Sequence, residues 1–456
     1  MAWVERFYGP EKPRPEEALS RSLRGFYRSW DILEQKGIGD IIDFDLVPSS
    51  PEFDYSQRIF SGRPLKEERL TIIKLIEELI EETINTPFPT DKNHQKIYLL
   101  AKLRASLAFS RRISGIEMSD LDFIREVDGI TPLEIPESEI LKQQDRVRDQ
   151  LKAAGFPSYD EESLRQLFES KRITDTAQIE SEIQSSGKDT LFALQKVLGE
   201  RFDDGIQFDT EVVEEDVYWM NYISGDRSRF VLRINHHPRN SWRWIRGKPN
   251  IMGVHEIGAH KAQMALRAKR IGEGKLLPIF GITTVFEPEQ FPAEGIAQTL
   301  PYFLPSLVLS SDGWLNLELD GLRQMVYNNV HVKINSPDFN HTPEEIEEIK
   351  KYIWGFYPVE PEESILAEIR DRTKNPIKQA YQYVYGYSFF VHRQYAELLS
   401  DDGKREFLRN ILDRPLTPEQ EMNIFKNIWR RPNFRSKNSS DQLPALVEET
   451  QLLLQY

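Results

Sequence analysis

Two histidines and a glutamate lie close together in a short apolar stretch of the chain. Residues 254 to 260 read Val-His-Glu-Ile-Gly-Ala-His, which places His255, Glu256 and His260 within six positions. Neutral imidazoles are favoured ligands of Zn²⁺, and a carboxylate beside the metal can take a proton from water. We therefore expect a zinc-dependent hydrolase, with His255 and His260 as ligands and Glu256 as the general base.

The spacing of the two histidines is one residue longer than in the H-E-x-x-H motif. That motif works because residues i and i+4 lie on one face of an α-helix. At about 100° per residue, a spacing of five turns His260 about 140° away from His255 on a regular helix. Both histidines can bind one ion only if the helix between them is deformed, by a π-bulge or by local unwinding. Gly258 is the residue whose backbone tolerates such a change.

A third ligand is expected from Glu294, which lies 34 positions after His260 in Pro-Ala-Glu-Gly-Ile-Ala-Gln. Two histidines and one glutamate, with the fourth position left to water, form a common catalytic zinc set. Taken alone, Glu294 is equally explained as a first-turn glutamate favoured by the helix dipole. Gln298, one turn further on, is expected to steady Glu294 by hydrogen bonding.

These motifs resemble the gluzincin zinc peptidases, in the branch with lengthened histidine spacing. The Glu-Gly-Ile-Ala and Tyr-Val-Tyr-Gly segments are similar to a largely uncharacterised bacterial group of peptidases that carries His-Glu-Ala-Tyr-Pro-Gly-His-His and then Glu-Gly-Ile-Ala. More distantly, the chain resembles the tyrosine carboxypeptidases that include the tubulin detyrosinases. The resemblance covers roughly residues 95 to 420, and this chain departs from the bacterial group by its shorter motif and single second histidine.

The resemblance implies a mainly α (α+β) fold, helical and gluzincin-like, with a small β-sheet beside the metal-binding helix. Phe230 to Asn235 has the composition of a strand and precedes that helix. Apolar residues at helical spacing predict helices around Leu70–Ile84 and Leu99–Leu107. We predict an N-terminal helical lobe (1–205), a zinc hydrolase core (206–432), and a linker with a C-terminal docking helix (433–456).

Tyrosines and arginines supply the candidates for substrate contact. Tyr381 and Tyr385 share a face of a predicted helix, and Tyr385, or else Tyr381, is expected to donate to a developing oxyanion. Residues 221 to 275 carry 12 Lys or Arg against 3 acids. Such a run is usually a solvated face, but an arginine there can also clamp a substrate carboxylate. The candidates for this role are Arg229, Arg233 and Arg239, together with Arg243 and Arg246 from the same run.

Composition excludes several other classes of function. The chain has no cysteine, which removes disulfides, thiol catalysis and thiolate metal sites. A net charge of −14 argues against nucleic-acid binding. No apolar run is long enough to span a membrane and no secretion signal is recognised, so the expected location is cytoplasmic. We expect a peptide or small amide as substrate, possible carboxypeptidase action, and no nucleic-acid or membrane partner. A non-peptide amide or ester hydrolase, or a binding protein with a decayed site, stays open.

Overall fold

The protein is mainly helical, as predicted. The structure, a computed structural model, describes residues 13–47, 53–202, 207–215, 221–226 and 229–436. The helices in these ranges are α1 (Pro15–Glu34), α2 (Ser56–Ile59), α3 (Leu65–Asn85), α4 (Asn93–Ile113), α5 (Asp120–Asp128), α6 (Glu137–Ala153), α7 (Glu161–Ser170), α8 (Thr176–Leu198), α9 (Pro238–Ser241), α10 (Lys248–Met252), α11 (Ala262–Gly272), α12 (Gln290–Phe303), α13 (Ser311–Ile334), α14 (Pro343–Phe356), α15 (Glu362–Lys374), α16 (Pro376–Leu398), α17 (Asp401–Ile411) and α18 (Pro418–Trp429). A π-helix (Gly253–Lys261) joins α10 to α11, and short 3₁₀ turns occupy Thr90–Lys92, Pro278–Gly281 and Pro432–Phe434.

Apolar stripes and local caps account for these helices. In α3 the buried side includes Ile72, Ile76 and Leu79, whereas Leu70 and Ile84, which we placed on the same stripe, are exposed. The buried stripe differs from the predicted one because only one face of α3 packs against the core, and Leu70 and Ile84 lie outside that face. Asn375 caps the start of helix α16, and its side chain accepts hydrogen bonds from the backbone amides of Ile377 and Lys378.

A small five-stranded sheet lies beside the segment that carries His255 and His260, and it confirms the second part of the predicted fold. Its strands run in the order β2 (Gln207–Val213), β4 (Arg229–Asn235), β3 (Asn221–Asp226), β1 (Ile42–Asp45) and β5 (Ile282–Thr284). Strand β4 is parallel to β2 and antiparallel to β3, while β1 is parallel to β3 and antiparallel to β5. In β4 the side chains of Phe230, Leu232 and Ile234 are buried, as the period of two requires.

One large hydrophobic core joins the early and late helices. It includes Leu23 and Leu103 from the N-terminal part and Ile296, Tyr383 and Phe425 from the C-terminal part. The predicted three-part division of the chain stays a prediction, and residues 437–456 of the predicted docking helix lie outside the described residues. Among the described helices, none combines the length and the apolar character needed to cross a bilayer.

Candidate metal centre

The segment between the two histidines is a π-helix, which confirms the predicted loss of regular α-helical geometry. It runs from Gly253 to Lys261, with α-helix on both sides. Hydrogen bonds from i to i+5 place residues five apart on one face, as an α-helix does for residues four apart. The Nε2 atoms of His255 and His260 therefore lie only 3.2 Å apart.

Glycines let helix α8 pack very closely against the π-helix. A Cβ on Gly258 would lie 2.8 Å from Cβ of Thr190, and one on Gly187 would overlap the side chain of Ile257. Gly253 similarly meets Ser186. Gly258 does not have a left-handed φ, so its role is to permit this close approach and not to allow an unusual backbone.

Glu294 completes a cluster of three potential ligands. Its Oε2 lies 3.3 Å from Nε2 of His255, and its Oε1 lies 3.5 Å from Nε2 of His260. Tetrahedral ligands at zinc distances of 2.0–2.2 Å are separated from one another by about 3.3–3.6 Å. The shortest separations are close to this value but use different oxygens of Glu294. With one ligand atom taken from each residue, all three atoms lie within 4.8 Å of one another, so these residues can hold a metal ion.

The surroundings of Glu294 fix its orientation. Tyr381 on α16 donates a hydrogen bond of 2.6 Å to its Oε1. Its Oε2 is buried and lies 3.3 Å from Nε2 of His255. Burial by itself would raise the pKa of Glu294, but the neighbouring His260 and His255 outweigh it and hold that pKa well below its ordinary value. The carboxylate is therefore ionised, as a ligand must be.

The side chains that surround the three potential ligands differ in part from those predicted. His260 has Gln263 as a neighbour, with 3.4 Å between Nδ1 and Oε1. Gln263 lies one turn after His260 and could have been proposed from that spacing. Gln298 lines a cavity beside His255, and its buried Nε2 has no hydrogen-bond partner among the residues described. No hydrogen bond joins Gln298 to Glu294 within those residues.

Glu256 is placed beside the cluster without being one of the three potential ligands. Its side chain is buried and lines cavities on both sides of His255. Burial raises the pKa of Glu256, and the nearby His255 and His260 oppose that rise. A carboxylate with a raised pKa is a stronger base and is suited to accept a proton.

Two cavities meet at the cluster. The basic cavity has a volume of about 210 Å³, and its charged and apolar lining includes Arg243, Lys248, Arg323, Ile251, Met252, Leu317 and Phe389. The acidic cavity has a volume of about 130 Å³, and its lining includes Asp43, Glu289, Glu294, His260 and Tyr381. Both are lined by His255, Glu256, Lys378 and Tyr385. A ligand that crosses from one to the other would pass these four side chains.

Of the two predicted tyrosines, Tyr385 lies at this junction and Tyr381 lies beside it in the acidic cavity. Tyr381 is bonded to Glu294, and the ring of Tyr385 lies 5.2 Å from that of Tyr381, centroid to centroid. Burial raises the pKa of both phenols well above the ordinary value, so each keeps its proton and can donate a hydrogen bond.

Two of the predicted substrate arginines lie away from the cavities. Arg229 and Arg233 are exposed on β4, where they pair with Asp209 and Glu211 and line neither cavity. The side chain of Arg239 lies outside the described residues. Arg243, another of the predicted arginines, lines the basic cavity, and so does Lys378, for which the sequence offered no signal.

Comparisons with known proteins leave the function open. No family model and no curated protein matches this chain. The crystal structure of a candidate lipoprotein from Colwellia psychrerythraea is similar, with a TM-score of 0.50 and 13% sequence identity over 80% of this chain and 69% of that one. At this identity the likeness concerns the fold alone.

Proposed function

We propose that the protein is a zinc-dependent hydrolase that cleaves peptide bonds. The observation that carries the proposal is the position of Glu256. It lies in the same π-helix as two potential ligands, and it lines both cavities that meet at the cluster. Because Glu256 lines both cavities, it can act on a substrate bound in either one.

The donor set supports zinc as the metal. Two imidazoles and one carboxylate, with a free fourth position, suit a catalytic zinc ion better than Ca²⁺ or Mg²⁺, which prefer oxygen ligands. When bound, zinc supplies Lewis-acid polarisation of a carbonyl and makes water nucleophilic near neutral pH.

Side chains of the protein carry out the proton transfer, stabilise the oxyanion and position the ligand. Glu256 accepts the proton that water gives up and passes it to the leaving amine. Tyr385, at the junction of the cavities, donates to the oxyanion that develops on the substrate carbonyl. Tyr381 holds Glu294 in place through its 2.6 Å hydrogen bond.

Metal content and turnover test the proposal together. We expect about one zinc per chain by elemental analysis, and its loss in folded His255→Ala and Glu294→Ala variants. Glu256→Gln should keep zinc and fold, yet cleave a peptide library about 10²- to 10⁴-fold more slowly. Glu273→Gln, an exposed change just after the same helical segment, serves as the control. Near-normal cleavage by Glu256→Gln, or full zinc in His255→Ala, would refute these roles.

The size of the cavities favours one alternative substrate class. At about 210 and 130 Å³ each is smaller than the 300–1,000 Å³ typical of sites for drug-sized ligands. The same chemistry would serve a small non-peptide amide or ester. Zinc-loaded protein that cleaves no member of a broad peptide library, but hydrolyses small acyl amides, would assign this second function.

A further inference from the structure

A third cavity, away from the metal cluster, is lined by three aromatic rings. It has a volume of about 720 Å³ and lies between α7, the turn after α9 and the connection from α14 to α15. The aromatic and apolar part of its lining consists of Phe168, Trp242, Trp354, Pro358 and Val359. The volume of this aromatic cavity falls within the range of about 300–1,000 Å³ that is typical of ligand sites, unlike those of the two cavities at the cluster.

The three rings are only half-buried, so a ligand can still cover them. The rings of Phe168 and Trp242 lie edge to face, with 5.3 Å between their centroids. The indole nitrogen of Trp354 donates to the carbonyl of Glu360 at 2.9 Å. The indole N–H of Trp242 has no acceptor among the described residues, and it is therefore available to a ligand.

Hydrogen bonds fix the walls of the aromatic cavity on both sides of α7. After this helix, Ile173 donates its backbone N–H to the carbonyl of Trp244 at 2.8 Å, close to the turn that carries Trp242. Before the helix, Tyr159 donates to the carbonyl of Phe356 at the end of α14. A ligand that binds here does not have to order these walls, which lowers the entropic cost of binding.

The aromatic cavity is a neighbour of the basic cavity. Trp242 lines the aromatic cavity, and the next residue, Arg243, lines the basic one. Glu360 lines the aromatic cavity and accepts two hydrogen bonds, at 3.0 and 2.9 Å, from Arg323 in the lining of the basic cavity. Because this buried ion pair joins the two linings, one extended ligand can contact both cavities.

The rim of the aromatic cavity carries charges of both signs. It includes two exposed acids and two exposed bases, which are Glu161, Glu169, Arg165 and Arg172. A cation already lies over one ring, since Nζ of Lys350 is 5.7 Å from the centroid of Trp354. Neither sign predominates, so the interior matches an uncharged apolar group better than a cation or an anion.

We propose that the aromatic cavity is a subsite for an aromatic side chain of the peptide substrate, at a position away from the bond that is cleaved. The inference rests on the proposed peptidase function. Phe168 and Trp242 contact the substrate ring, and the indole N–H of Trp242 donates to a backbone carbonyl of the same segment. Binding energy from this remote part of the substrate then helps to position the bond at the metal cluster.

A series of peptides tests the subsite. One phenylalanine is moved along a peptide of otherwise constant sequence, whose cleavage site is identified by mass spectrometry. We expect one position to raise kcat/KM about 10- to 100-fold over alanine, the value of burying an aromatic side chain. Phe168→Ala and Trp242→Ala should lose most of this gain, whereas Trp242→Phe, which keeps a ring, should retain part of it. Phe192→Ala removes an exposed ring on α8 that lines none of the three cavities, and it should retain the full gain.

The same series separates failure of the subsite from failure of the proposed function. If phenylalanine gives no gain at any position, or if lysine or glutamate gives a larger gain than phenylalanine, the aromatic subsite is overturned while peptidase action stands. If the zinc-loaded protein cleaves no peptide at all, the proposed function itself fails.

Binding without turnover gives an independent readout. We expect calorimetric titration of zinc-loaded Glu256→Gln protein to show at least tenfold tighter binding of the best phenylalanine peptide than of its alanine counterpart. Adding Phe168→Ala to this protein should remove most of the difference, and adding Phe192→Ala should not. Equal affinity of Glu256→Gln protein for the two peptides would overturn the subsite.

Discussion

Tyr381 and Tyr385 have different roles, although they lie one turn apart on the same helix. Tyr381 is bonded to Glu294, so its hydroxyl is committed to a potential ligand. Tyr385 lines both cavities and is hydrogen-bonded to Tyr381 and not to Glu294, so it can contact a substrate in either cavity. Their spacing alone does not separate these roles, because residues four apart share one helix face.

Phenylalanine variants of the two tyrosines should therefore have different effects. Tyr381→Phe removes an outer hydrogen bond, and we expect zinc affinity to fall about 10- to 100-fold. Tyr385→Phe should keep zinc affinity but lower kcat about 10²- to 10³-fold, because an oxyanion donor is lost. Competition with a zinc chelator gives the affinities, and steady-state kinetics at saturating zinc gives kcat. The reverse pattern would exchange the two assignments.

Residue types and spacing predicted the three potential ligands because two imidazoles and one carboxylate form a common metal-binding set. His255, His260 and Glu294 meet in the structure as expected. Lys378 and Asp43 were not predicted, since a lone lysine or aspartate carries no pattern in sequence. Arg229 and Arg233 belong to a basic run, but strand alternation turns them outward to acids on β2.

At the scale of elements, the π-helix depends on its contact with α8. Its i to i+5 hydrogen bonds are rarer than those of an α-helix, so packing must help to maintain them. Three glycines at the contact, Gly187, Gly253 and Gly258, bring the two backbones close together. The deformation was predictable from the five-residue spacing, whereas the partner helix was not, because contacts distant in sequence leave no local pattern.

A methyl group at this contact should disturb the metal centre. Gly258→Ala places a Cβ against Thr190, and overpacking of this kind costs roughly 1–3 kcal/mol. We expect a lower melting temperature and weaker zinc binding. Adding Thr190→Gly to the same protein removes the obstructing side chain and should restore zinc binding in part. Gly355→Ala, where nothing lies within 4 Å of the new methyl group, is the matched control and should be neutral or stabilising.

At the scale of the whole molecule, the wall of the site is assembled from distant parts of the chain. Strand β1, from residues 42 to 45, is inserted between β3 and β5. Lys102 on α4 donates to the carbonyl of Ile282 at 2.7 Å and pairs with buried Glu287. Local patterns predict the helices and one strand, but this long-range pairing could not be read from them.

The predicted hydrolase core should therefore not fold by itself. A fragment of residues 206–432 lacks β1 and leaves Glu287 without Lys102, and an unpaired buried charge costs about 3–5 kcal/mol. We expect weak helical circular dichroism and no cooperative melting transition. Co-expression of residues 1–205 with residues 206–456 should restore both properties. A fragment 206–432 that melts cooperatively on its own would show that the two regions are independent domains.

The position of β1 also sets an order of events during synthesis. Phe44 pairs with Gly225, so the ribosome must add 181 residues before that partner exists. At 5–20 residues per second, this wait lasts about 9 to 36 s. An exposed strand is prone to aggregate, and charged side chains protect against it. The sequence Ile-Asp-Phe-Asp places an aspartate at every second position of β1, so Asp43 and Asp45 can keep the nascent strand soluble during this wait. In the folded protein Asp43 lines the acidic cavity and Asp45 pairs with Arg28.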